Sequence, residues 1–445
     1  MRTAAHWKHI PSLLMLLLGS VISIYWGVSL ARAVPGGIMG FPGIYYGTRC
    51  LMQHCDPYNV PQFEAFYERS GAAVPIDSVA RRQAVTLYVN IPSTFVFVAP
   101  FALLPLKSAQ TLWMIPLIGS FVLATLLMWD LGAMKARKLS TILAFVVLAN
   151  CEVLFSGGNT AGLVVAFCVI AAWCFLEQRC ELAGVLCLAA ALAIKPHDAG
   201  LVWLFFLLSG GALRRRAMQA GALAIALVLA ATLWVSVVAP HWFPELRANL
   251  AAISAHGGIN EPGPKSIGVS SADMIVDLQT VFSIIRDDPG FYNAATYVIC
   301  GALFCAWVIL VARTRRSAQS AWFALVAASS LSMLVTYHRS YDARLLLLAI
   351  PACALLWSRK DALAWPAAVL TAATITMTSD IPLALLAAKT DQMQMYPHDL
   401  GGKLIAILIG RPAPMLLLAT AAFYLWVFAR HSQTEALRKE NDSSG

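Results

Sequence analysis

Residues 160–211 read TAGLVVAFCVIAAWCFLEQRCELAGVLCLAAALAIKPHDAGLVWLFFLLSGG, and this stretch decides the fold. It contains three apolar runs, at 160–177, 181–195 and 199–211, with only short polar turns between them. The alternation of apolar and polar residues that is typical of a membrane β-barrel is absent. In lipid, an uncharged run must satisfy its backbone hydrogen bonds internally, and a helix does so. The stretch therefore predicts packed membrane helices.

The composition extends this prediction to the whole chain. Of 445 residues, 59% are hydrophobic and only 12% are charged, so a water-soluble domain of this sequence would expose more apolar surface than it could bury. We predict an all-α polytopic membrane protein, a bundle of about twelve transmembrane helices. These are expected at 10–32, 110–131, 139–156, 160–177, 181–195, 199–211, 217–240, 294–312, 319–337, 342–358, 362–379 and 411–430.

The positive charge of the chain indicates its orientation. The formal net charge is +9, but the Lys and Arg residues lie in short clusters between apolar runs, which favours the positive-inside rule over nucleic-acid binding. The run at 10–32 is long for a cleaved signal, so we expect it to stay as a signal anchor. We predict a multi-pass protein of a bacterial-type plasma (inner) membrane with both termini cytoplasmic, a single integral membrane domain at 1–430 and a disordered cytoplasmic tail at 431–445.

The polar segments are expected to gather on the outer face. With this orientation the outer loops are 33–85, 241–293 and 380–402, and we predict that they form the site. Residues 86–106 are apolar, but a full crossing there would invert every later basic cluster, and three prolines interrupt the segment. We therefore interpret 86–106 as a re-entrant or interfacial segment.

Lys195 and His197 lie in a turn between two short apolar runs. An ionisable residue at membrane depth is costly unless it is paired or hydrated, which makes it a candidate functional residue. Both residues are candidate ligands for an anionic phosphate, which His197 or Asp198 could orient. The alternative is structural, with Lys195 paired to Asp198 to hold the two helices together.

A second charged group, Tyr337-His338-Arg339-Ser340-Tyr341-Asp342-Ala343-Arg344, opens a later apolar run. His338 and Arg339 are candidate phosphate ligands, and Asp342 is a candidate for binding sugar hydroxyls. The alternative is a charged helix cap that reaches into the lipid headgroups.

The first outer loop holds aromatic and acidic candidates. Tyr45, Tyr46 and Tyr58 can stack on a sugar. Asn159, in a later turn, can form a hydrogen bond with a sugar. Asp56 is a candidate general base, although Asp before Pro is also a common turn former. Cys50 and Cys55 can form a small disulfide if this loop faces an oxidising compartment.

The loop 241–293 carries many ionisable residues, among them His256 and Glu261. No spacing there matches a recurring metal site, so neither a metal ion nor another cofactor is predicted. We interpret the loop as a lid or an acceptor-binding segment, and the alternative is a solvated loop on the headgroups.

The order of motifs resembles glycosyltransferase family 87, a group of membrane transferases with the GT-C fold. The resemblance covers roughly residues 10 to 345 and depends on Tyr45-Tyr46, Asp56-Pro57-Tyr58, the run from Pro92 to Leu106, Leu154 to Asn159, and Gly184 to Lys195-Pro196.

The resemblance implies a hexosyltransferase that moves a sugar, often mannose, from a polyprenyl-phosphate donor to a lipid or glycan acceptor at the outer face. The family's usual acid before the paired tyrosines is missing from Gly40–Ile44, so either Asp56 or another outer-loop acid serves as base, or the chain is a non-catalytic relative. A transporter or flippase of lipid-linked substrates is the alternative from another class, but no internal repeat supports it.

Overall fold

The computed structural model describes residues 9–33, 40–72, 79–263, 275–314, 318–393 and 399–444. The described residues are helical, with one isolated β-bridge between Ile275 and Arg339. The α-helices are Ile10–Ala33, Phe41–Met52, Val60–Arg69, Val79–Thr86, Ser93–Ala102, Leu106–Leu148, Glu152–Gly157, Thr160–Leu176, Glu181–Ile194, Pro196–Leu208, Gly211–Val238, Trp242–Ser254, Gln279–Ile285, Pro289–Arg313, Ala318–Val335, Ala349–Arg359, Ala364–Met377, Asp380–Met393, Leu400–Ile405 and Pro412–Ser444, with a 3₁₀ helix at Asp342–Leu348 and a π-helix at Ala406–Gly410. The prediction of an all-helical chain is confirmed.

Five of the described helices are long and apolar enough to cross a membrane. They are Ile10–Arg32, Leu106–Leu148, Gly211–Val238, Pro289–Arg313 and Pro412–Ser432. A sixth crossing is possible if Ala364–Met377 and Asp380–Leu386, which meet at 70°, form one broken span. Multiple candidate spans identify a multi-pass membrane protein.

The predicted count of about twelve crossings is not shown. Several apolar runs form helices at the predicted places, but these helices are short. Glu181–Ile194 has 14 residues and Pro196–Leu208 has 13, whereas a hydrocarbon core of about 30 Å needs about 20 residues. An apolar run in the sequence does not distinguish a helix that faces lipid from one that is buried among other helices, and the prediction counted both.

The segment Leu106–Leu148 folds back on itself. Ala136, between Lys135 and Arg137, leaves the helical conformation at φ −146° and ψ 72°. The indole nitrogen of Trp129 donates a hydrogen bond to Thr141 Oγ1 at 3.0 Å, although twelve residues of straight helix would separate them by about 18 Å. The segment is therefore a helical hairpin; its first helix covers the predicted run at 110–131, and its second ends at Leu148, before the predicted end at 156.

Two short helices, Thr160–Leu176 and Ala318–Val335, lie in the core, because their side chains are almost all buried. The long helices surround them and keep large apolar side chains exposed, such as Leu17, Leu233 and Val298. In a membrane protein, exposed apolar side chains of this kind face lipid rather than water.

The segments predicted as loops contain helices of their own. Ser93–Ala102, inside the predicted re-entrant segment, is only about 15 Å long, about half of the hydrocarbon core.

The last helix continues to Ser444, over most of the predicted disordered tail, where residues with high helix propensity such as Glu, Ala, Leu, Arg and Lys follow one another. The side of the membrane on which each segment lies stays a prediction.

Candidate active site

A charged cluster lies where two short apolar helices meet. Lys195 separates Glu181–Ile194 from Pro196–Leu208 with φ −143° and ψ 81°, since a following proline disfavours helical backbone. Its Nζ lies 3.0 Å from Oδ2 of Asp198 and also pairs with Oδ1 of Asp342. Both carboxylates are buried, but 19% of the lysine side chain is exposed. An ammonium group has three N–H donors, so two carboxylate partners leave one donor for a ligand.

Two histidines accompany Asp198. His338 Nε2 lies 2.9 Å from Asp198 Oδ1, and its Nδ1 lies 2.8 Å from the carbonyl oxygen of Thr336. Because both ring nitrogens face acceptors, the doubly protonated imidazolium fits this position best. His197 Nε2 lies 3.6 Å from the same Asp198 oxygen, and its ring lies 5.2 Å from that of His338. Of the two rings only His197, at 44% exposed, can reach a ligand.

Arg339 joins this cluster to a neighbouring segment of the chain. Its backbone N–H donates to Asp342 Oδ2 at 3.0 Å, and its Nε donates to the hydroxyl of Tyr337. Its Nη2 donates to the carbonyl oxygen of Ile259 at 3.2 Å and to Oδ1 of Asn260 at 3.3 Å. The guanidinium is thus held in place by contacts from two parts of the chain.

The structure therefore brings five predicted site residues together. The charged cluster, as we call it from here on, also includes Asp198, which the sequence indicated either as a residue that orients a phosphate or as a structural partner of Lys195. Its members are Lys195, His197, Asp198, His338, Arg339 and Asp342. Asp198 connects the two predicted groups because it contacts Lys195 on one side and His338, 140 positions away, on the other. No sequence pattern spans that separation.

Asp56 belongs to a second acidic group. The amide of Tyr58 donates to Asp56 Oδ1 at 2.8 Å, as in a turn, and Asn59 Nδ2 donates to Glu245 Oε1 at 2.8 Å. Burial raises the pKa of Asp56 to about 6, helped by the hydrogen bond and repulsion from Glu245 and opposed by the Tyr58 amide. A neighbouring carboxyl group thus favours the protonated form of Asp56. Glu245 was not predicted, because it lies 189 positions from Asp56 and no local signal marks it.

Short contacts connect this carboxyl pair to the charged cluster. The hydroxyl of Tyr58 donates to the carbonyl oxygen of Asn90 at 2.8 Å. Three residues later, Ser93 Oγ donates to the carbonyl oxygen of Ala193, two residues before Lys195. Among the described residues, no hydrogen bond or ion pair joins the two groups directly. The segment from Asn90 to Ser93 connects them, because it contacts both.

The predicted sugar-binding tyrosines are buried. Tyr45 is fully buried and donates its hydroxyl hydrogen bond to the carbonyl oxygen of Leu104 at 2.6 Å. Tyr46 packs edge-on against Tyr67 at 4.9 Å, and Tyr58 packs among aromatic rings. These contacts hold the first helices to the rest of the chain, and a role in sugar binding stays a prediction.

The side chain of Asn159 caps a helix. It accepts a hydrogen bond from the amide of Ala161 at 2.9 Å and so caps the helix Thr160–Leu176. Gly158, just before it, adopts a left-handed conformation, φ 60°, and its carbonyl oxygen accepts a hydrogen bond from Trp113. The turn 156–159 thus ends one helix and begins the next.

A further buried ion pair was missed from the sequence. Arg344 is fully buried, and its Nη2 lies 3.0 Å from Asp380 Oδ1 and 2.6 Å from the carbonyl oxygen of Asn150. Asp380 Oδ2 also accepts a hydrogen bond from the amide of Val153. Arg344 was noticed only as the end of a charged motif; its partners lie on distant elements.

His197, Asp198 and His338 also have the composition of a metal site, with one atom of each within 4.8 Å of the others. The Lys195 ammonium already provides a cation to Asp198 at 3.0 Å, so a metal ion would compete with it. We assign no metal ion to the charged cluster.

Comparison with known proteins identifies the chain by family. A family model described as Glycosyltransferase family 87 matches residues 88–336, more than half of the chain. The match is narrower than the resemblance inferred from the motifs, and it includes Lys195 and Glu245 but ends two residues before His338. No curated protein and no solved structure matches the chain significantly.

Proposed function

The chain belongs to glycosyltransferase family 87, and we propose that it transfers a hexose, with mannose the first candidate, from a polyprenyl-phosphate donor to a lipid or glycan acceptor. The family assignment makes the protein a membrane glycosyltransferase. The donor, the sugar, the acceptor and the outer face of a bacterial-type plasma membrane are parts of the proposal.

The charged cluster is the observation that carries the proposal. Buried carboxylates of Asp198 and Asp342 position Lys195, and contacts from two segments position Arg339. Positioned cations with unused N–H donors suit a phosphate, which accepts several charge-assisted hydrogen bonds. His197, the exposed ring beside them, offers a further donor when it is protonated.

A lipid-linked donor also fits the surroundings. The cluster lies at the junction of two apolar helices, and the helices around the core expose apolar side chains. A polyprenyl chain can lie against such surfaces while its phosphate reaches the cluster, because apolar area is buried against lipid-like material and the charge is met by cations.

Asp56 is the candidate general base. A base works best when its pKa lies near the working pH, and the pKa of about 6 for Asp56 meets this condition. In the reaction, the acceptor hydroxyl oxygen attacks the anomeric carbon, and its proton passes to Asp56. The bond between that carbon and the donor phosphate oxygen breaks, and polyprenyl phosphate leaves with its charge offset by the cluster.

The test is sugar transfer in membranes that contain the protein. Polyprenyl-phosphate mannose with a labelled sugar and a lipid extract are supplied, and transferred label is measured. We expect Asp56→Asn to reduce transfer by about 100-fold or more, the usual effect of losing a general base. Lys195→Ala should reduce transfer by about tenfold or more, because it removes a charge-assisted contact to the donor.

Matched controls are available on the same chain. Lys107→Ala and Asp130→Asn alter exposed residues, and both should keep wild-type transfer within about twofold. If wild-type protein transfers no sugar from this donor while a solute moves across sealed vesicles, the transporter alternative replaces the proposal. If Asp56→Asn keeps wild-type activity, another acid is the base.

A further inference from the structure

Three potential metal ligands converge outside the charged cluster. They are His256, Glu261 and Asp287, and one ligand atom of each lies within 4.8 Å of the others. His256 Nδ1 lies 2.5 Å from Glu261 Oε1. A Cβ atom placed on Gly263 would lie 2.8 Å from Asp287 Oδ1 and 2.9 Å from Glu261 Oε1, so the two carboxylate oxygens point at the same small space.

Glu261 is the decisive residue of this group. Its side chain is fully buried, and its Oε2 accepts a hydrogen bond from the amide of Gly257 at 2.5 Å. Its Oε1 is buried as well, yet no described residue makes a hydrogen bond of acceptable geometry to it. A buried carboxylate oxygen without such a partner is costly, and it requires a proton, a cation or an ordered water.

Among the described residues, no lysine or arginine side chain compensates the negative charge of Glu261. No described lysine or arginine lies within ion-pair distance of Glu261 or Asp287, and the nearby Arg286 pairs with Asp288 at 2.9 Å. Within the part of the chain that the structure describes, the carboxylates of Glu261 and Asp287 have no basic partner besides His256, which is itself one of the three ligands. The carboxylates repel each other, and a divalent cation between them would remove the repulsion.

We propose that His256, Glu261 and Asp287 bind one divalent cation of the Zn²⁺ or Mn²⁺ class. One imidazole nitrogen and two carboxylate oxygens suit these ions better than Ca²⁺ or Mg²⁺, which prefer ligand sets made of oxygen alone. Zn–N and Zn–O bonds of about 2 Å place neighbouring ligand atoms about 3 Å apart. The exposed His256 ring, 45% accessible, can make this small adjustment.

The ion would fix the segment 255–263, which contacts the charged cluster. This segment contains Ile259 and Asn260, whose oxygens accept the hydrogen bonds of Arg339. Ser283 Oγ also donates to the carbonyl oxygen of Pro262 at 3.1 Å. Metal binding stands apart from sugar transfer, and only the effect of the ion on Arg339 rests on the proposed function.

The test measures ion binding directly. Full-length protein without a polyhistidine tag is purified in detergent and stripped with EDTA, and Zn²⁺ is titrated by calorimetry and Mn²⁺ by electron paramagnetic resonance. We expect one site per chain, with affinity at least tenfold lower in His256→Ala and in Asp287→Asn. Both altered side chains are exposed, so neither change opens a cavity.

His241→Ala is the matched control, because it removes another exposed histidine near the same segment; it should bind like wild type. Hydrogen exchange adds a second measurement, in which Zn²⁺ should slow exchange at 255–263 in wild type but not in His256→Ala. A wild-type chain without a site, or variants that bind as tightly as wild type, would overturn the proposal and show that His256 and Glu261 form an ion pair only. None of these measurements uses a sugar donor, so failure here is distinct from failure of the proposed function.

Discussion

Removing the positive charge at Lys195 should destabilise the protein strongly, and removing a negative charge at the same time should restore much of the loss. The perturbations are Lys195→Met, Asp342→Asn and the two combined. In the wild type, the lysine pairs with two carboxylates that are each 1% exposed. Among the contacts of the described residues, Lys195→Met leaves Asp342 with only the backbone N–H of Arg339, whereas Asp198 keeps His338 at 2.9 Å.

The magnitude follows from the burial of the charges. Breaking a buried ion pair by removing one partner costs about 3–5 kcal/mol, because an uncompensated charge stays behind. The double variant removes both charges and leaves the Asp198–His338 pair intact, so it should cost no more than either single variant. The coupling energy between Lys195 and Asp342 should then be at least about 3 kcal/mol, at the top of the range for residues in contact.

The assay is unfolding in detergent micelles with a denaturant, and each free energy of unfolding is compared with that of the wild type. The partly exposed pair of Arg216 and Glu181 provides the control. Arg216→Met, Glu181→Gln and their combination should each change the free energy of unfolding by about 1 kcal/mol or less, as for surface pairs. Additive losses for Lys195→Met and Asp342→Asn, to within about 0.5 kcal/mol, would refute the reasoning.

Three other predictions concern the first part of the chain. Burial and a second carboxyl group raise the pKa of Asp56 from 3.8 to about 6, so sugar transfer should fall as pH drops through about 6. The folded state binds this proton more tightly than the unfolded state does. The stability of the wild type relative to Asp56→Asn should therefore fall as pH rises from about 4 to about 6. Gly40→Ala should cost about 1–3 kcal/mol in a melting experiment, because its Cβ would lie 2.2 Å from a facing carbonyl oxygen, whereas Gly43→Ala, with nothing within 4 Å, should be neutral. Cys50 and Cys55 form a disulfide, so wild-type protein should not label with a thiol reagent at these positions before reduction, and replacing both by alanine should cost about 2 kcal/mol for so short a loop.

The sequence located the helices better than it located the membrane crossings. The runs at 160–177 and 217–240 form helices within a few residues of the predicted bounds, because an apolar run without breakers satisfies its backbone only as a helix. The predicted number of crossings is not shown, because the runs at 181–195 and 199–211 form helices shorter than a bilayer core. Hydrophobicity alone does not report what surrounds a helix.

The sequence also identified only some of the residues of the candidate site. Lys195, His338 and Asp342 were found from their types alone, because ionisable residues beside apolar runs are costly and need a reason. Glu245 received no such emphasis, and Tyr45 was expected to face a ligand but is buried. A residue type indicates what a side chain can do, but its neighbours decide whether it does so.

By itself, the sequence determined that this chain is a helical membrane protein with charged residues at helix junctions, since hydrophobicity and backbone hydrogen bonding are local properties that can be read along the chain. Only the tertiary structure decided that Asp198 meets His338, that Asp56 shares its surroundings with Glu245, and that His256, Glu261 and Asp287 converge. Each of these contacts joins separate helices or loops, and the packing that brings them together depends on shape complementarity along the whole bundle, which no local pattern encodes.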